Sequence, residues 1–107
     1  MRIYALQAEL CKALAHPIRL QVLDLLSEHE RTVEDLARLT GAGQSNLSQH
    51  LAALRRQKLV TPRRAGMNVF YALSDPKIAD ACSLTRELLA DLVKRDQRAV
   101  TRLEVSK

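Results

Sequence analysis

Apolar residues are spaced as in helices through the first half of the chain and as in strands soon afterwards, which limits the chain to a few folds. Leu47, Leu51 and Leu54 follow one another at intervals of four and three residues, the spacing of one helix face. The run from Met67 to Leu73 is instead rich in strand formers and places Val69, Tyr71 and Leu73 on one side of a strand. The chain is therefore predicted to add a β-hairpin to a set of helices.

Two short helices joined by a glycine turn come directly before this change of period. Thr32 offers a hydroxyl cap to the first of them, and Glu34 and Asp35 place acids in its first turn. The turn itself reads Gly41-Ala42-Gly43, where glycine permits left-handed backbone angles. Two short helices with such a connection predict a helix-turn-helix motif over about residues 32–57.

The rest of the chain supplies a hairpin and flanking helices. Strand-forming runs at 59–61 and 67–73 enclose a basic turn, Pro62-Arg63-Arg64-Ala65-Gly66, which predicts a two-stranded wing over about 59–73. A helix is predicted at about 3–15, a second begins near Pro17, and a long last helix covers about 75–100. The predicted fold is mainly α with a small β-hairpin, a winged helix-turn-helix that fills residues 1–107 as a single domain.

Positive charge is concentrated in one part of the sequence. The chain of 107 residues has a formal net charge of +5 and a sequence pI of about 9.7. Residues 36–74 contain no Asp or Glu and hold six cations, whereas the other 68 residues together carry a charge of −1. A basic segment of this kind is either an ordinary solvated face or the electrostatic footprint of a nucleic acid.

Other classes of protein are disfavoured by composition. One Phe, two Tyr and no Trp are too few for modules that stack bases on aromatic rings. No apolar run reaches the ~18–20 residues of a membrane span, and the N-terminal segment lacks the pattern of a signal peptide. Two cysteines far apart make neither a disulfide scaffold nor a zinc finger, so a cytoplasmic location with free thiols is expected.

The chain is not expected to be an enzyme. It has no glycine-rich phosphate loop, no nucleophile elbow and no Cys-x-x-Cys motif. A protein-interaction module that does not bind DNA is the alternative from a different functional class. Steep dependence of DNA binding on salt would separate the two, because phosphate contacts release counterions.

Candidate DNA contacts lie on the second helix of the motif and on the wing. Once the leucines of that helix face inward, its N-terminal half presents polar side chains that suit base edges in a major groove, namely Gln44, Ser45, Asn46, Ser48, Gln49 and His50. Cations that could meet phosphates or the minor groove follow on this helix and on the wing, namely Arg55, Arg56, Lys58, Arg63 and Arg64. His50 either contacts DNA or supports packing, whereas His16 precedes Pro17 and is expected to cap or pack.

Three segments of the chain form a specific combination. They are the run KALAHPIRLQVL at 12–23, the run SNLSQHLAALRR at 45–56, and the stretch from Arg63 to Leu73. Together they resemble the ArsR/SmtB family of small winged helix-turn-helix repressors. The resemblance implies a homodimer built through the first and last helices, which binds an inverted repeat in a promoter until an inducer loosens it. Apolar residues on both terminal helices, more than one small core can cover, independently favour such a dimer.

The metal sites common in that family are incomplete here. The helix over 33–40 has neither Cys nor His, and in the last helix Asp75 has its family counterpart but Lys77 replaces the expected histidine. No metal ligands or cofactor are therefore assigned. Cys11 and Cys82 remain, on the two helices that pair in a family dimer. They are structural, form a redox or reactive-sulfur sensor, or bind arsenite or a soft metal with a third ligand such as His16.

Overall fold

The computed structural model describes residues 2–105, and the side chains of residues 2–98, 101 and 102. Five helices and three strands follow one another in the order α1 (Arg2–Leu14), α2 (Pro17–Glu28), β1 (Arg31–Thr32), α3 (Val33–Thr40), α4 (Gln44–Arg56), β2 (Val60–Ala65), β3 (Asn68–Leu73) and α5 (Lys77–Val105). The predicted order of helices and hairpin is observed, and α5 extends beyond its predicted end. Met1, Ser106 and Lys107, included in the predicted domain, lie outside the described residues.

Side-chain caps begin two of the helices. His16 caps α2, where its Nδ1 accepts a hydrogen bond from the backbone N–H of Ile18 at 3.1 Å, and Pro17 occupies the first turn. Thr32 caps α3 by accepting from the N–H of Asp35 at 3.1 Å. Gly41 ends α3 with a φ of 75°, a left-handed conformation that costs glycine little. Both the capping role of His16 and the glycine turn agree with the sequence analysis.

The sheet has one more strand than predicted. Its order is β1-β3-β2, and β1 pairs antiparallel with β3 through Arg31 opposite Tyr71 and Thr32 opposite Phe70. A strand of two residues is too short to show a period in the sequence, so the expected two-stranded hairpin is in fact the larger part of a three-stranded sheet.

The basic turn predicted at residues 62–66 is wrong in its extent. Strand β2 continues to Ala65, which is opposite Asn68, so only Gly66 and Met67 remain in the loop. Gly66 has a φ of 63°, as a two-residue hairpin loop requires. Arg63 and Arg64 are therefore strand residues, because backbone pairing with β3 extends past Pro62 rather than stopping before it.

The core lies between α2, α3, α4 and the sheet. Its largest fully buried side chains are Leu23, Leu36, Leu47, Leu51, Leu54, Val22 and Val60. Among the residues whose burial is described, α1 and α5 each contribute a single buried side chain, Ala13 and Cys82. An apolar stripe on α5 is left exposed, and it comprises Leu84, Leu88, Leu89, Leu92 and Val93.

No helix within residues 2–105 is both long and apolar enough to cross a membrane.

Candidate nucleic-acid interface

Helix α4 has one face in the core and one in solvent. Leu47, Leu51 and Leu54 are buried against the rest of the domain. Of the six polar side chains that were predicted to reach base edges, all except His50 are exposed. These five are Gln44, Ser45, Asn46, Ser48 and Gln49. These amide and hydroxyl groups form a row of short donors and acceptors that can meet base edges in a groove.

His50 does not lie on this outer face. Its side chain is only 7% exposed, and its Nδ1 accepts a hydrogen bond from Nε of Arg19 at 3.1 Å. The prediction of His50 as a base contact is therefore wrong, and the packing role is what the structure has. The reason is helix geometry: His50 lies three residues after Leu47 and directly before Leu51, so it falls on the leucine face.

Of the six cations in residues 36–74, two are paired with carboxylates. Arg38 contacts Asp35 one turn earlier in α3 at 3.2 Å, and Arg63 contacts Glu30 at 2.7 Å. The other four are exposed, and no carboxylate of the described residues lies within 4 Å of their charged groups. They are Arg55, Arg56, Lys58 and Arg64. This set, with the outer face of α4, is the basic surface of the domain.

Arg63 is exposed but is held by a carboxylate and an aromatic ring. Its Nε and Nη2 donate to the two carboxylate oxygens of Glu30 at 3.1 and 2.7 Å, and its guanidinium lies 5.1 Å from the ring centroid of Phe70. The hydrogen bond from Arg63 lowers the pKa of Glu30, and Glu30 in turn raises the pKa of Arg63. This pairing ties β2 to the segment before β1, and the phosphate or minor-groove contact of Arg63 stays a prediction.

The tip of the wing is formed by a residue that sequence reasoning missed. Met67 follows Gly66 in the hairpin loop, and its side chain is fully exposed. Together with Asn68 and Gln44 it lines a shallow groove of about 170 Å³ between the wing and the start of α4. An exposed methionine beside a proposed DNA surface can contact sugar or base faces. Met67 is the first residue of the predicted second strand, directly after the predicted turn, so its place at the tip was not expected.

Both cysteines line one groove. Cys11 on α1 is exposed and Cys82 on α5 is buried, and both are free. They border a largely apolar groove of about 500 Å³ between α1, α2 and α5, together with Leu10, Leu14 and Leu20. Burial raises the pKa of the Cys82 thiol, Arg86 lowers it, and Asp24 raises it. The chemistry available here is that of two thiols facing the same apolar space.

An ion pair stands beside the buried thiol. Nη2 of Arg86 donates to Oδ1 of Asp24 at 2.9 Å, and the two residues share a second groove with Cys82. Within the part of the chain that the structure describes, no group of three or more His, Cys, Asp and Glu residues is arranged to hold a metal ion.

Comparison with known proteins places this site in context. Residues 16–61 match the model of a family described as bacterial regulatory protein, arsR family. The chain is 44% identical over 89 residues to Rv0081 of Mycobacterium tuberculosis, called an uncharacterized HTH-type transcriptional regulator, and the match covers 82% of this chain and 78% of that protein. It is 42% identical over 79 residues to the transcriptional activator HlyU of Vibrio cholerae, covering 74% and 73% respectively.

Solved structures agree with these matches. The crystal structure of Rv0081 superimposes with a TM-score of 0.83 at 39% identity, over 90% of this chain and 97% of that one. Reduced HlyU gives 0.74 at 39% identity, over 81% and 92%. The homodimeric winged helix-turn-helix DNA-binding domain of Mb0332 from Mycobacterium bovis also gives 0.74, at 37% identity over 84% and 82%. The predicted fold class, a winged helix-turn-helix, is confirmed.

Proposed function

The chain belongs to the arsR family of bacterial regulatory proteins, as its resemblance predicted, and on that premise we propose that it is a homodimeric transcriptional repressor. A family of DNA-binding regulators agrees with the prediction that the chain is not an enzyme. In this proposal α4 is the recognition helix, which enters the major groove of an inverted-repeat operator while the wing contacts the flanking DNA. Its place of action is the compartment that holds the DNA, the cytoplasm.

The observation that carries this proposal is the basic surface beside the outer face of α4. Gln44, Ser45, Asn46, Ser48 and Gln49 are exposed where base edges would lie. Four exposed cations lie at the end of α4, directly after it and on the wing, without a nearby carboxylate among the described residues, namely Arg55, Arg56, Lys58 and Arg64. We assign the first group to base or groove contacts and the second to phosphates, since base contacts specify a sequence and phosphate contacts position the protein.

The exposed stripe of α5 supports the homodimer. Leu84, Leu88 and Leu92 recur every four residues on a helix that buries a single described side chain in its own domain. Leu6 and Tyr4 add exposed apolar surface on α1. A two-fold dimer through α1 and α5 would cover both helices and set the two copies of α4 side by side for the two half-sites of an operator.

We further propose that the inducer acts at Cys11 and Cys82. The shared groove supports this role. A peroxide or polysulfide inducer would take two electrons and the two thiol protons from Cys11 and Cys82 as a disulfide or polysulfide link forms between them. That link would pull α1 and α5 together and change the spacing of the two recognition helices. The raised pKa of Cys82 supports the structural alternative, since a protonated thiol is a poor nucleophile. Arsenite held by the two thiolates would use the same groove.

Salt-dependent binding tests the DNA-binding proposal. Duplexes are enriched by the protein from a random-sequence pool, and affinity for an enriched and a scrambled duplex is measured between 50 and 200 mM salt. A repressor with several phosphate contacts should lose roughly 10³–10⁵ in affinity over this range. A flat dependence, or no duplex enriched over the scrambled control, would favour a protein-interaction module and contradict the proposal.

A second experiment tests the thiols. Binding to the enriched duplex is measured for wild type, Cys11→Ser and Cys82→Ser after dithiothreitol, peroxide, polysulfide or arsenite. A thiol sensor is released by one of these reagents in wild type and by none in either serine variant. A response to arsenite alone selects the soft-metal alternative, and no response from wild type makes both cysteines structural.

A further inference from the structure

One hydrogen-bonded network joins the recognition helix to the corner between α1 and α2. Arg19, on α2, is partly buried, and its Nε donates to Nδ1 of His50 on α4 at 3.1 Å. Its Nη1 donates to the backbone carbonyl of Ala13, near the end of α1, at 3.3 Å. A single guanidinium on α2 thus contacts both the preceding helix α1 and helix α4, whose His50 lies 31 residues further along the chain.

The chemistry of the network sets the form of His50. Because Nδ1 accepts a hydrogen bond from a permanently charged guanidinium, it carries no proton, and the neutral ring holds its proton on Nε2. Burial, with further contributions from His16 and Arg19, lowers the pKa of His50 and so favours this neutral form. The ring of His16, which caps α2, packs against that of His50 with centroids 4.2 Å apart. His50 is therefore fixed from two sides by residues of the α1–α2 corner.

Hydrogen bonds matter for the orientation of α4 because the helix otherwise packs on the core mainly through leucine side chains. Leu47, Leu51 and Leu54 hold the helix by apolar packing, which is not directional. A rotation of α4 by about 10° about its axis would move exposed side chains at a radius of about 5–6 Å by about 1 Å. A displacement of that size spoils the geometry of hydrogen bonds to base edges.

We propose that Arg19 and His50 are positioning residues that fix the rotation of the recognition helix against the α1–α2 corner, and that operator specificity depends on their hydrogen bond. The inference rests on the proposed function, since it concerns how α4 is presented to DNA. His50 directly follows Ser48 and Gln49 in α4, so the buried hydrogen bond orients the turn that carries two of the assigned base contacts. Neither Arg19 nor His50 touches DNA in this role.

Four variants test the network. His50→Leu removes the acceptor, Arg19→Met removes the donors, and the double variant removes both. His50→Asn places an amide oxygen near the position of Nδ1 and keeps the acceptor. Leu26→Val, a change in the core of α2 away from the network, is the matched control for a general loss of stability. For each protein, the ratio of affinities for the enriched and scrambled duplexes is measured, together with Tm.

The expected result is a specificity ratio about tenfold lower in His50→Leu and Arg19→Met, which corresponds to about 1.4 kcal/mol. The double variant should lose no more than either single variant, because both remove the same contact. His50→Asn should retain the wild-type ratio. Additive losses, an equal loss in Leu26→Val, or unchanged specificity in His50→Leu and Arg19→Met would each overturn the proposal.

Nitrogen-15 spectra of the histidine rings test the contact without DNA. Nδ1 of His50 should be unprotonated at pH 7.5 in wild type and should shift in Arg19→Met, whereas a protonated Nδ1 would overturn the proposal. If wild type enriches no duplex, the proposed function fails and takes the inference with it. If wild type binds specifically and the variants do as well, the inference alone fails.

Discussion

Arg63 and Arg64 are neighbours in β2, yet the fold gives them different surroundings. Side chains of successive strand residues point to opposite faces of a sheet. Arg63 meets Glu30 and the ring of Phe70, whereas Arg64 is exposed without a nearby carboxylate among the described residues. Two adjacent cations therefore contribute unequally to the basic surface, and we expect only Arg64 to bind a phosphate in the resting structure.

The salt dependence of DNA binding should separate these two arginines. Arg64→Ala should reduce the slope of log K against log salt by about 0.9 per protomer, the value for one phosphate contact, whereas Arg63→Ala should leave it near that of wild type. Glu30→Gln should steepen the slope, because Arg63 loses its carboxylate and becomes available to DNA. Equal losses of slope in the two alanine variants would show that Glu30 does not hold Arg63 away from phosphate.

His50 should make the stability of the domain depend on pH. The pKa of His50 is lowered in the folded state by burial and by the nearby His16 and Arg19, while the unfolded chain has a pKa of about 6.5. When the pH lies between the folded-state and unfolded-state pKa of His50, the unfolded state binds more protons than the folded state. The free energy of unfolding is therefore greatest above about pH 6.5 and falls as the pH drops.

Chemical denaturation between pH 8 and 5 measures this effect. The contribution of one histidine cannot exceed about 1.4 kcal/mol per pH unit. His50→Asn should flatten this part of the curve. A wild-type curve with the same slope as that of His50→Asn would mean that His50 titrates alike in the folded and unfolded states.

The ion pair beside Cys82 should tune the reactivity of that thiol. Arg86 lowers the pKa of Cys82 and Asp24 raises it, so the two charges act in opposite directions. In a Cys11→Ser background, Asp24→Asn should speed the alkylation of Cys82 at pH 8 and Arg86→Ala should slow it, because the thiolate is the reactive form. If both changes speed the reaction, the ion pair acts by limiting access of the reagent to the thiol and not by setting the fraction of thiolate.

At the scale of elements, the end of α4 carries backbone strain next to the basic surface. Lys58 has a φ of 59°, and the N–H groups of Lys58 and Leu59 bond the carbonyls of Arg55 and Leu54 at 2.9 and 3.0 Å. This pair of bonds forms a Schellman motif, whose left-handed position normally holds glycine. A lysine there keeps an exposed positive charge on the basic surface at a conformational cost.

Lys58→Gly should therefore stabilise the domain and weaken DNA binding. Removing the Cβ from a left-handed position should raise the free energy of unfolding by about 0.5–1 kcal/mol, after the larger entropy of unfolded glycine is subtracted. The slope of the salt dependence should fall by about 0.9 per protomer. Lys58→Ala is the control, because it removes the charge but keeps the Cβ. It should show the same loss of slope in the salt dependence of DNA binding and little gain in the free energy of unfolding. A loss of stability in Lys58→Gly would contradict the strain.

At the scale of the whole molecule, the chain is elongated because α5 extends away from the core. The radius of gyration is 17.6 Å and the principal extents are 66 × 38 × 23 Å, whereas a compact chain of this length has a radius of about 13 Å. At 29 residues α5 is about 43 Å long. An apolar stripe on so long a projection is exposed in the isolated chain, so a second copy is the expected cover.

A charge in that stripe should separate the proposed dimer. Leu88→Glu should sediment as a monomer and lose about 10²-fold or more in affinity for an inverted-repeat duplex, because the second half-site is no longer bound by the same particle. Lys94→Glu puts a carboxylate on α5 outside the stripe and should remain dimeric. If Leu88→Glu sediments as wild type does, the dimer does not use this face of α5.

Much of the architecture follows from local sequence. The spacing of Leu47, Leu51 and Leu54, the cap at Thr32 and the turn at Gly41 predict helices and their ends, because these signals act over a few residues. The wing was predicted from alternation in the same way. The strand β1 was missed and the hairpin loop was drawn too long, since strand pairing depends on partners elsewhere in the chain.

The proposed site was less predictable for the same reason. A segment without acids is a property of the sequence, but Glu30 and Asp35, both outside it, pair with two of its six cations. The helix period already puts His50 on the leucine face of α4, but its hydrogen bond from Arg19 joins residues 31 apart in the chain. Helix period and net charge are local and were determined by the sequence itself, whereas burial and charge pairing arise between distant residues and took form only on folding.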